Sequence, residues 1–156
     1  MNMALLSSDT VHTVYLGLGS NLGDRAENLE EAIRRIEASV GVVSRRSSFH
    51  ATRPWGFDSE NQFLNAAVCC LTPLSPRSLL EATQRIERGM GRTVKSDGQY
   101  HDRIIDIDIL LYDDMTVDDD DLKIPHPLMG EREFVIKPLA EIMPHRACGN
   151  LNKYNH

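Results

Sequence analysis

No stretch of this chain approaches the ~18 apolar residues a membrane span requires. Its first residues, MNMALLSSDT, have neither the charged start nor the apolar centre of a secretion signal. A cytoplasmic protein with no membrane partner is expected. Basic charge is scarce as well: 17 lysines and arginines against 23 aspartates and glutamates leave a formal charge of -6. Phosphate backbones demand a basic footprint, so a general nucleic-acid binder is excluded, although an anionic ligand can still meet a local cationic patch. The three cysteines, Cys69, Cys70 and Cys148, are too few and oddly numbered for a disulfide framework. Cys69 and Cys70 adjoin in a strand-like run, so their side chains are expected on opposite faces, as reduced core fillers. None of the six histidines has a zinc-ligand spacing such as H-x-x-x-H. Repeats and linker-like segments are lacking too, and 156 residues suit one domain with a single core.

Local patterns supply the elements. HTVYLGLGS predicts a strand over Thr13–Gly19. A helix follows, with Asp24 as cap and Glu27 in a capping-box position. Its Leu29, Ile33, Ile36 and Val40 keep helical spacing, Glu30–Arg34 and Glu31–Arg35 form outer i,i+4 pairs, and Gly41 ends it. VVSRRSSFHA predicts a second strand, TRPWGFDSENQ a loop, and FLNAAVCCLT a third strand. In LSPRSLLEATQRIERGMG a second helix begins at Ser75 and Pro76, with Leu79, Thr83, Ile86 and Met90 along one face. RTVKSDGQYHD is a polar loop, RIIDIDILLYDD a strand ending in a turn at Asp113–Asp114, and Val135–Ile142 a short helix. The core is expected over about residues 13–144; the tail, 145–156, has no pattern and is expected to be disordered. The order βαββαβ predicts an α+β, ferredoxin-like sandwich, with helices packed on a mostly antiparallel sheet.

Two aspartates interrupt the last strand, where aspartate is normally depleted. Residues two apart in a strand share a face. Ile105, Ile107, Ile109 and Leu111 are therefore expected on one side, and Asp106, Asp108, Leu110 and Tyr112 on the other. At ~3.3 Å per residue the two Asp Cα atoms lie about 6.5–7 Å apart, so their carboxylates can converge on one cation. Hard oxygen donors on a rigid strand suit Mg²⁺, which keeps waters and takes phosphate oxygens as further ligands. The cationic Arg92, Lys95 and Arg103 precede the pair, and His126 and Arg132 follow it. Such a setting suits Mg²⁺-nucleotide chemistry, in which cations absorb developing charge; surface salt bridging is the plainer alternative.

Two other patterns mislead. GLGSNLGD spaces its glycines as G-x-G-x-x-x-G, one residue too long for a dinucleotide fingerprint, and it lacks the G-K-[ST] of a phosphate loop. These glycines are expected to turn the strand end tightly into the helix. The acidic run DDMTVDDDDL looks like a metal site by count, but charge runs in turns are usually solvated.

Taken together and in order, GLGSNLGDRAENL, SSFHATRPWG, QFLNAAV, TQRIERGMGR, RIIDIDIL and IPHPLMGEREFV resemble the 6-hydroxymethyl-7,8-dihydropterin pyrophosphokinases of folate biosynthesis. The resemblance runs from about Tyr15 to Pro144. It implies transfer of pyrophosphate from ATP to the pterin hydroxymethyl group, release of AMP, and two Mg²⁺ ions held by Asp106 and Asp108. Carried over by position, Gln84, Glu87, Arg92, Arg103, His126 and Arg132 match the nucleotide site, with Lys95 and Tyr100 on a lid loop. Thr52, Trp55, Phe63, Asn65 and Phe134 match the pterin pocket. Arg92 and Arg103 would join the two aspartates in catalysis by neutralising transition-state charge. The lid departs from the family's pattern: His101 and Asp102 replace a usual Gly-Pro, Val94 a frequent arginine and Tyr100 a common tryptophan. Before the pterin segment, Arg53 replaces a frequent proline. The small molecules ATP and pterin are the expected partners, and a monomer is expected. Two rivals remain, a two-metal phosphodiesterase or nuclease using the same D-x-D, and a ferredoxin-like sensing module that binds without consuming ATP.

Overall fold

The first strand, β1 (His12–Ser20), buries Val14, Leu16 and Leu18 at every second position, the alternation of a strand that gives one face to a core. The structure is a computed structural model and describes residues 10–52, 62–91, 104–127 and 129–144. Trp55, Arg92, Lys95, Tyr100, Arg103, the expected lid and the tail lie outside the described residues.

Helix α1 (Arg25–Ser39) begins where expected: the Asp24 carboxylate accepts the Glu27 N–H at 3.1 Å. The outer pairs differ. Glu31 does bind Arg35, but Glu30 takes a two-pronged bond from Arg46, at 3.0 and 2.8 Å, and Arg34 turns to Glu27 and Glu31. A guanidinium fork on the neighbouring strand matches a carboxylate better than a helical i,i+4 partner does.

The expected second strand divides into β2 (Val42–Arg46) and β3 (His50–Thr52), both antiparallel to β4 (Phe63–Thr72). Between them Ser47 turns inward: its N–H donates to the Ala67 carbonyl and its hydroxyl accepts the Ala67 N–H, each at 2.9 Å. A serine that bonds backbone in this way competes with the ladder and interrupts the strand. Helix α2 (Pro76–Gly89) starts at Ser75, whose hydroxyl accepts the Ser78 N–H, and buries Leu79, Ala82, Thr83, Ile86 and Glu87. Strand β5 (Asp106–Tyr112), a hairpin of β6 (Val117–Asp118) and β7 (Lys123–Ile124), a 3-10 turn (Met129–Glu131) and helix α3 (Glu133–Ile142) complete the described chain.

The main sheet has the order β2-β4-β1-β5, with β3 also on β4, and every pairing in it is antiparallel. Helices α1 and α2 cover one face, packing Leu29, Ile33, Ile36, Leu79 and Ile86 against Val14, Leu16, Val68 and Ile107. Helix α3 covers part of the other, where Leu139 and Ile142 meet Ala67, Cys69 and Leu111. The α+β ferredoxin-like expectation holds, with α3 added on the second face. Cys70 and Cys69 fall in these two separate cores as expected, and burial pushes the Cys70 thiol up to about 12. Among the described residues no helix is long and apolar enough to cross a membrane.

One facial assignment is overturned. Tyr15 pairs with Leu111 but Leu16 pairs with Ile109, so Leu110 is an extra residue in β5. Such a bulge breaks the two-residue period. Beyond it Tyr112 joins the isoleucines in the α1–α2 core, while Leu111 falls on the α3 side with Leu110. The acidic run also does more than expected. Its carboxylates are exposed, yet Asp119 and Asp121 hold Arg77 of α2 at 3.0 and 2.7 Å, and Asp118 holds Lys123.

Candidate active site

Strand register assembles the site. Residues directly opposite in neighbouring strands share a face, and two such rows cross the sheet on the α3 side. One runs His50–Asn65–Gly19–Asp106, the other Ala67–Gly17–Asp108. The carboxylate pair therefore faces Asn65 across a glycine. With neighbouring strands ~4.8 Å apart, the Asn65 and Asp106 Cα atoms are about 10 Å apart, and the residue between them has no side chain of its own.

The expectation for the glycines is thus revised. Gly17 and Gly19 lie inside β1, as the strand expected over Thr13–Gly19 has them, and make no turn; only Gly23, with φ +68°, occupies the tight corner before α1. The Asn28 amide braces that corner by donating to the Leu22 carbonyl and the Ser20 hydroxyl. At Gly19 a Cβ would stand 3.0 Å from Asn65 Oδ1 and 3.5 Å from Phe63 Cδ1. The bare floor is what lets these side chains occupy the row.

Asn65 is 5 % exposed, with its Nδ2 donating at 3.5 Å to the His50 carbonyl. Phe63, two residues away on the same face, is half-buried, and Thr52 stands opposite it in register. Phe134 lies in the first turn of α3 on this side of the sheet, with the Arg132 guanidinium 5.5 Å from its ring centre. Glu141, two turns further along α3, accepts from the Ser48 N–H and hydroxyl and pairs with His50. That contact ties α3 to the strand beside Asn65. The Ser48 N–H, chiefly, holds the Glu141 carboxyl below its ordinary range.

On the other flank, the bulge positions His126. The Leu110 carbonyl accepts the His126 N–H at 3.1 Å, and the imidazole Nε2 lies 3.9 Å from Asp108 Oδ1. Burial and, next, the Arg132 charge push the imidazole below its usual range, against the pull of Asp106, a shift that favours its neutral form. A cavity of about 270 Å³ opens here, lined among others by Leu80, Ile107, Asp108, Lys123 and His126. That is just below the roughly 300–1,000 Å³ of most ligand pockets, room for part of a nucleotide. Gln84 is exposed on the α2 flank, and buried Glu87, one turn on, accepts the Ile107 N–H at 2.7 Å. Sequence reasoning placed neither the glycine floor nor the Glu87 contact. The i,i+2 glycine spacing in YLGLGS was a usable signal for the floor, whereas Glu87 had none.

Asp106 and Asp108 are half-buried oxygen donors, two apart on one rigid strand. Among the described residues no three His, Cys, Asp or Glu side chains form a metal-holding group. The pair suits a hard cation that takes its remaining ligands from phosphate and water, which is a fit for Mg²⁺ carried in with a nucleotide.

Comparison with known proteins shows the family. The sequence pattern of the family described as 7,8-dihydro-6-hydroxymethylpterin-pyrophosphokinase (HPPK) matches residues 15–144. The chain is 49% identical over 133 residues to the 2-amino-4-hydroxy-6-hydroxymethyldihydropteridine pyrophosphokinase of Porphyromonas gingivalis, covering 84% of this chain and 90% of that one. It is 43% identical to the Bacillus subtilis protein of the same name, covering 82% and 76%. In fold it is similar to a Plasmodium falciparum HPPK-DHPS, with a TM-score of 0.73 at 17% identity, covering 99% of this chain but only 44% of that one. The chain belongs to the HPPK family, the pterin pyrophosphokinases of folate biosynthesis.

Proposed function

We propose that the chain transfers pyrophosphate through a Mg²⁺-dependent site in which Asp106 and Asp108 hold the cation and Asn65 holds the pterin. The observation that carries this reading is the row Asn65–Gly19–Asp106. It sets an amide that can pair with a pterin edge beside a carboxylate pair that can take a phosphate-bound cation, across the bare backbone of Gly19.

In this reading the pterin hydroxyl attacks the β-phosphorus of ATP in line and loses its proton, while the bond to the α-phosphate oxygen breaks and AMP leaves. Asn65 offers a donor and an acceptor to the polar edge of the pterin. Phe134 supplies a flat face, as would Trp55. Phe63 flanks Asn65 on the same face, and Thr52 belongs to the pterin side by the family resemblance. His126 donates a ring N–H to a phosphate oxygen beside Asp108. The cavity next to it receives the nucleoside end, because it reaches Asp108 and leads off the sheet edge away from Asn65. Arg132, held over Phe134, places positive charge between the two substrates. Gln84, Glu87, Lys95 and Tyr100 belong to the nucleotide side, and Arg92 and Arg103 to the neutralisation of transition-state charge, by the family resemblance. When bound, two Mg²⁺ ions would supply Lewis-acid charge neutralisation on the phosphates. The reading extends to a cytoplasmic monomer.

The deciding experiment supplies ATP, Mg²⁺ and the pterin alcohol and follows AMP. AMP that forms only when all three are present is the expected result. Binding of the pterin without ATP consumption would reduce the chain to a sensing module.

A further inference from the structure

We propose that Glu87 is a positioning residue for the carboxylate pair, acting through the backbone of Ile107; this rests on reading Asp106 and Asp108 as the cation-holding pair. Among the described residues strand β5 is an edge of the sheet, bonded on one side to β1. In an antiparallel strand successive residues turn their N–H and C=O groups to alternate sides, so every second residue of an edge strand points them outward. Ile107 is such a residue, and its N–H is the one Glu87 Oε2 accepts at 2.7 Å.

The placement is unusual for both partners. Glu87 is 7 % exposed on a helix whose neighbours Thr83 and Ile86 face the core, and a buried carboxylate is costly to hold unless its oxygens are bonded. Ile107 is 6 % exposed, and its side chain is packed in the α1–α2 core. The residue between the two aspartates is thus gripped twice, by its side chain from below and by its N–H from the edge. The grip has a purpose. Asp106 and Asp108 repel each other when no cation lies between them, and rotation of either peptide flanking Ile107 would re-aim one of them. A one-residue slip would send both carboxylates to the opposite face. The bulge at Leu110 interrupts the β1 ladder two residues beyond Asp108. The anchor at Ile107 adds a hold from the outer edge to the short run, Asp106–Ile109, that pairs with β1 before the bulge, and a charged acceptor gives a stronger bond than a neutral one.

The test compares Glu87→Ala with Glu87→Gln, since glutamine keeps the acceptor and loses the charge. Mn²⁺, followed by electron paramagnetic resonance with a non-hydrolysable ATP analogue, probes the carboxylates; calorimetry measures the pterin separately. Glu87→Ala should weaken Mn²⁺ binding roughly 10–100-fold, as loss of outer-shell support does at metal sites, and leave pterin affinity within about twofold. Glu87→Gln should restore most of the Mn²⁺ affinity. Exchange of the Ile107 amide should be as slow as that of a central-strand amide in the wild type and in Glu87→Gln, a measurement that decides the matter even should Glu87→Ala not fold. Unchanged Mn²⁺ binding in Glu87→Ala, equal damage in both variants, or fast Ile107 exchange in the wild type would each overturn the proposal. A wild type that binds no Mn²⁺ here would instead remove the carboxylate-pair reading, and this inference with it.

Discussion

Substituting Gly19 by alanine tests the site at its narrowest point. The residue lies within β1 with no left-handed backbone angle, so alanine meets no conformational barrier, and any effect comes from what the methyl touches. It would stand 3.0 Å from Asn65 Oδ1 and 3.5 Å from Phe63 Cδ1. A comfortable carbon–oxygen approach is about 3.3–3.6 Å, so a few tenths of an ångström must be found. The carboxamide of Asn65 gives way most readily, because its tether to the His50 carbonyl is long, at 3.5 Å. Relief by a side chain rather than by backbone keeps the stability loss near the low end of overpacking, ~1 kcal/mol, or a fall in Tm of about 2–4 °C for a chain of this size. Pterin binding should suffer more. An amide swung off the ligand's polar edge leaves buried groups unpaired, at a cost of roughly 1–3 kcal/mol, or about 5- to 150-fold in Kd. Mg²⁺-nucleotide affinity should stay within about twofold, since Asp106 is not among the atoms the methyl meets most closely. Gly17→Ala is the internal control, because its methyl would rest 3.4 Å from Leu110 Cδ1, an ordinary contact. Calorimetry with each ligand separately, beside thermal unfolding, decides the matter. Unchanged pterin affinity in Gly19→Ala, or greater pterin loss in Gly17→Ala, would refute the reasoning.

Asp106→Asn and Asp108→Asn should each remove more than ~10²-fold of turnover, whereas Asp119→Asn, which loses only an exposed bond to Arg77, should match the wild type in a steady-state AMP assay. Asn65→Ala should weaken pterin binding by roughly 1–3 kcal/mol and spare nucleotide affinity, as read by calorimetry on the folded variant. Glu141→Gln should lower stability by roughly 0.5–1 kcal/mol at neutral pH, the carboxylate being partly exposed and its pairing screened. The folded-state pKa of Glu141 is depressed below its ordinary 4.5, so its contribution is present above that value and fades as pH falls through the lowered one. Urea unfolding of wild type and variant should therefore converge under acid conditions, and a gap that widens on acidification would refute the sign.

Much of the fold was legible because its signals are local. Asp24 and Ser75 announce their helices through short polar side chains ahead of apolar periodicity, and both accept the N–H three residues on. The opposite burial of Cys69 and Cys70 follows from the two-residue period alone. Other features depend on partners distant in sequence. Nothing in VVSRRSSFHA says that Ser47 will bond both backbone groups of Ala67, which is what divides the strand. Gly17 and Gly19 read as strand residues, but their use as a bare floor shows only once β4 and β5 pair on either side of them. The candidate site was legible differently: periodicity put the two aspartates on one face, while Asn65, Phe63, Thr52 and Phe134 came from resemblance. Glu87 was matched to the nucleotide side in the same way, but the Ile107 contact of an edge-strand N–H leaves no mark in composition or period.

The bulge explains how one short strand meets two opposed demands. Had β5 kept strict alternation from Asp106, Tyr112 would share the face of the carboxylates, and Leu111 would enter the α1–α2 core in its place. With Leu110 inserted, the first half of the strand keeps its isoleucines in that core and its aspartates at the open row. The second half then turns Tyr112 into the same core and both leucines beneath α3. Tyr112 is fully buried there, its hydroxyl donating to the Leu74 carbonyl, a partner it would lose on the other face. The displaced Leu110 carbonyl in turn accepts the His126 N–H and brings that imidazole beside Asp108. A single extra residue thus settles the floor of α3, the placement of a large aromatic and the approach of a site histidine. Deleting Leu110 should accordingly do more than leave a cavity. It should reverse the facing of Leu111 and Tyr112 and withdraw the backbone anchor of His126, so that stability and phosphate-side chemistry fail together, while Leu110→Ala, which keeps the register, should cost only the roughly 2–5 kcal/mol of a large-to-small core change.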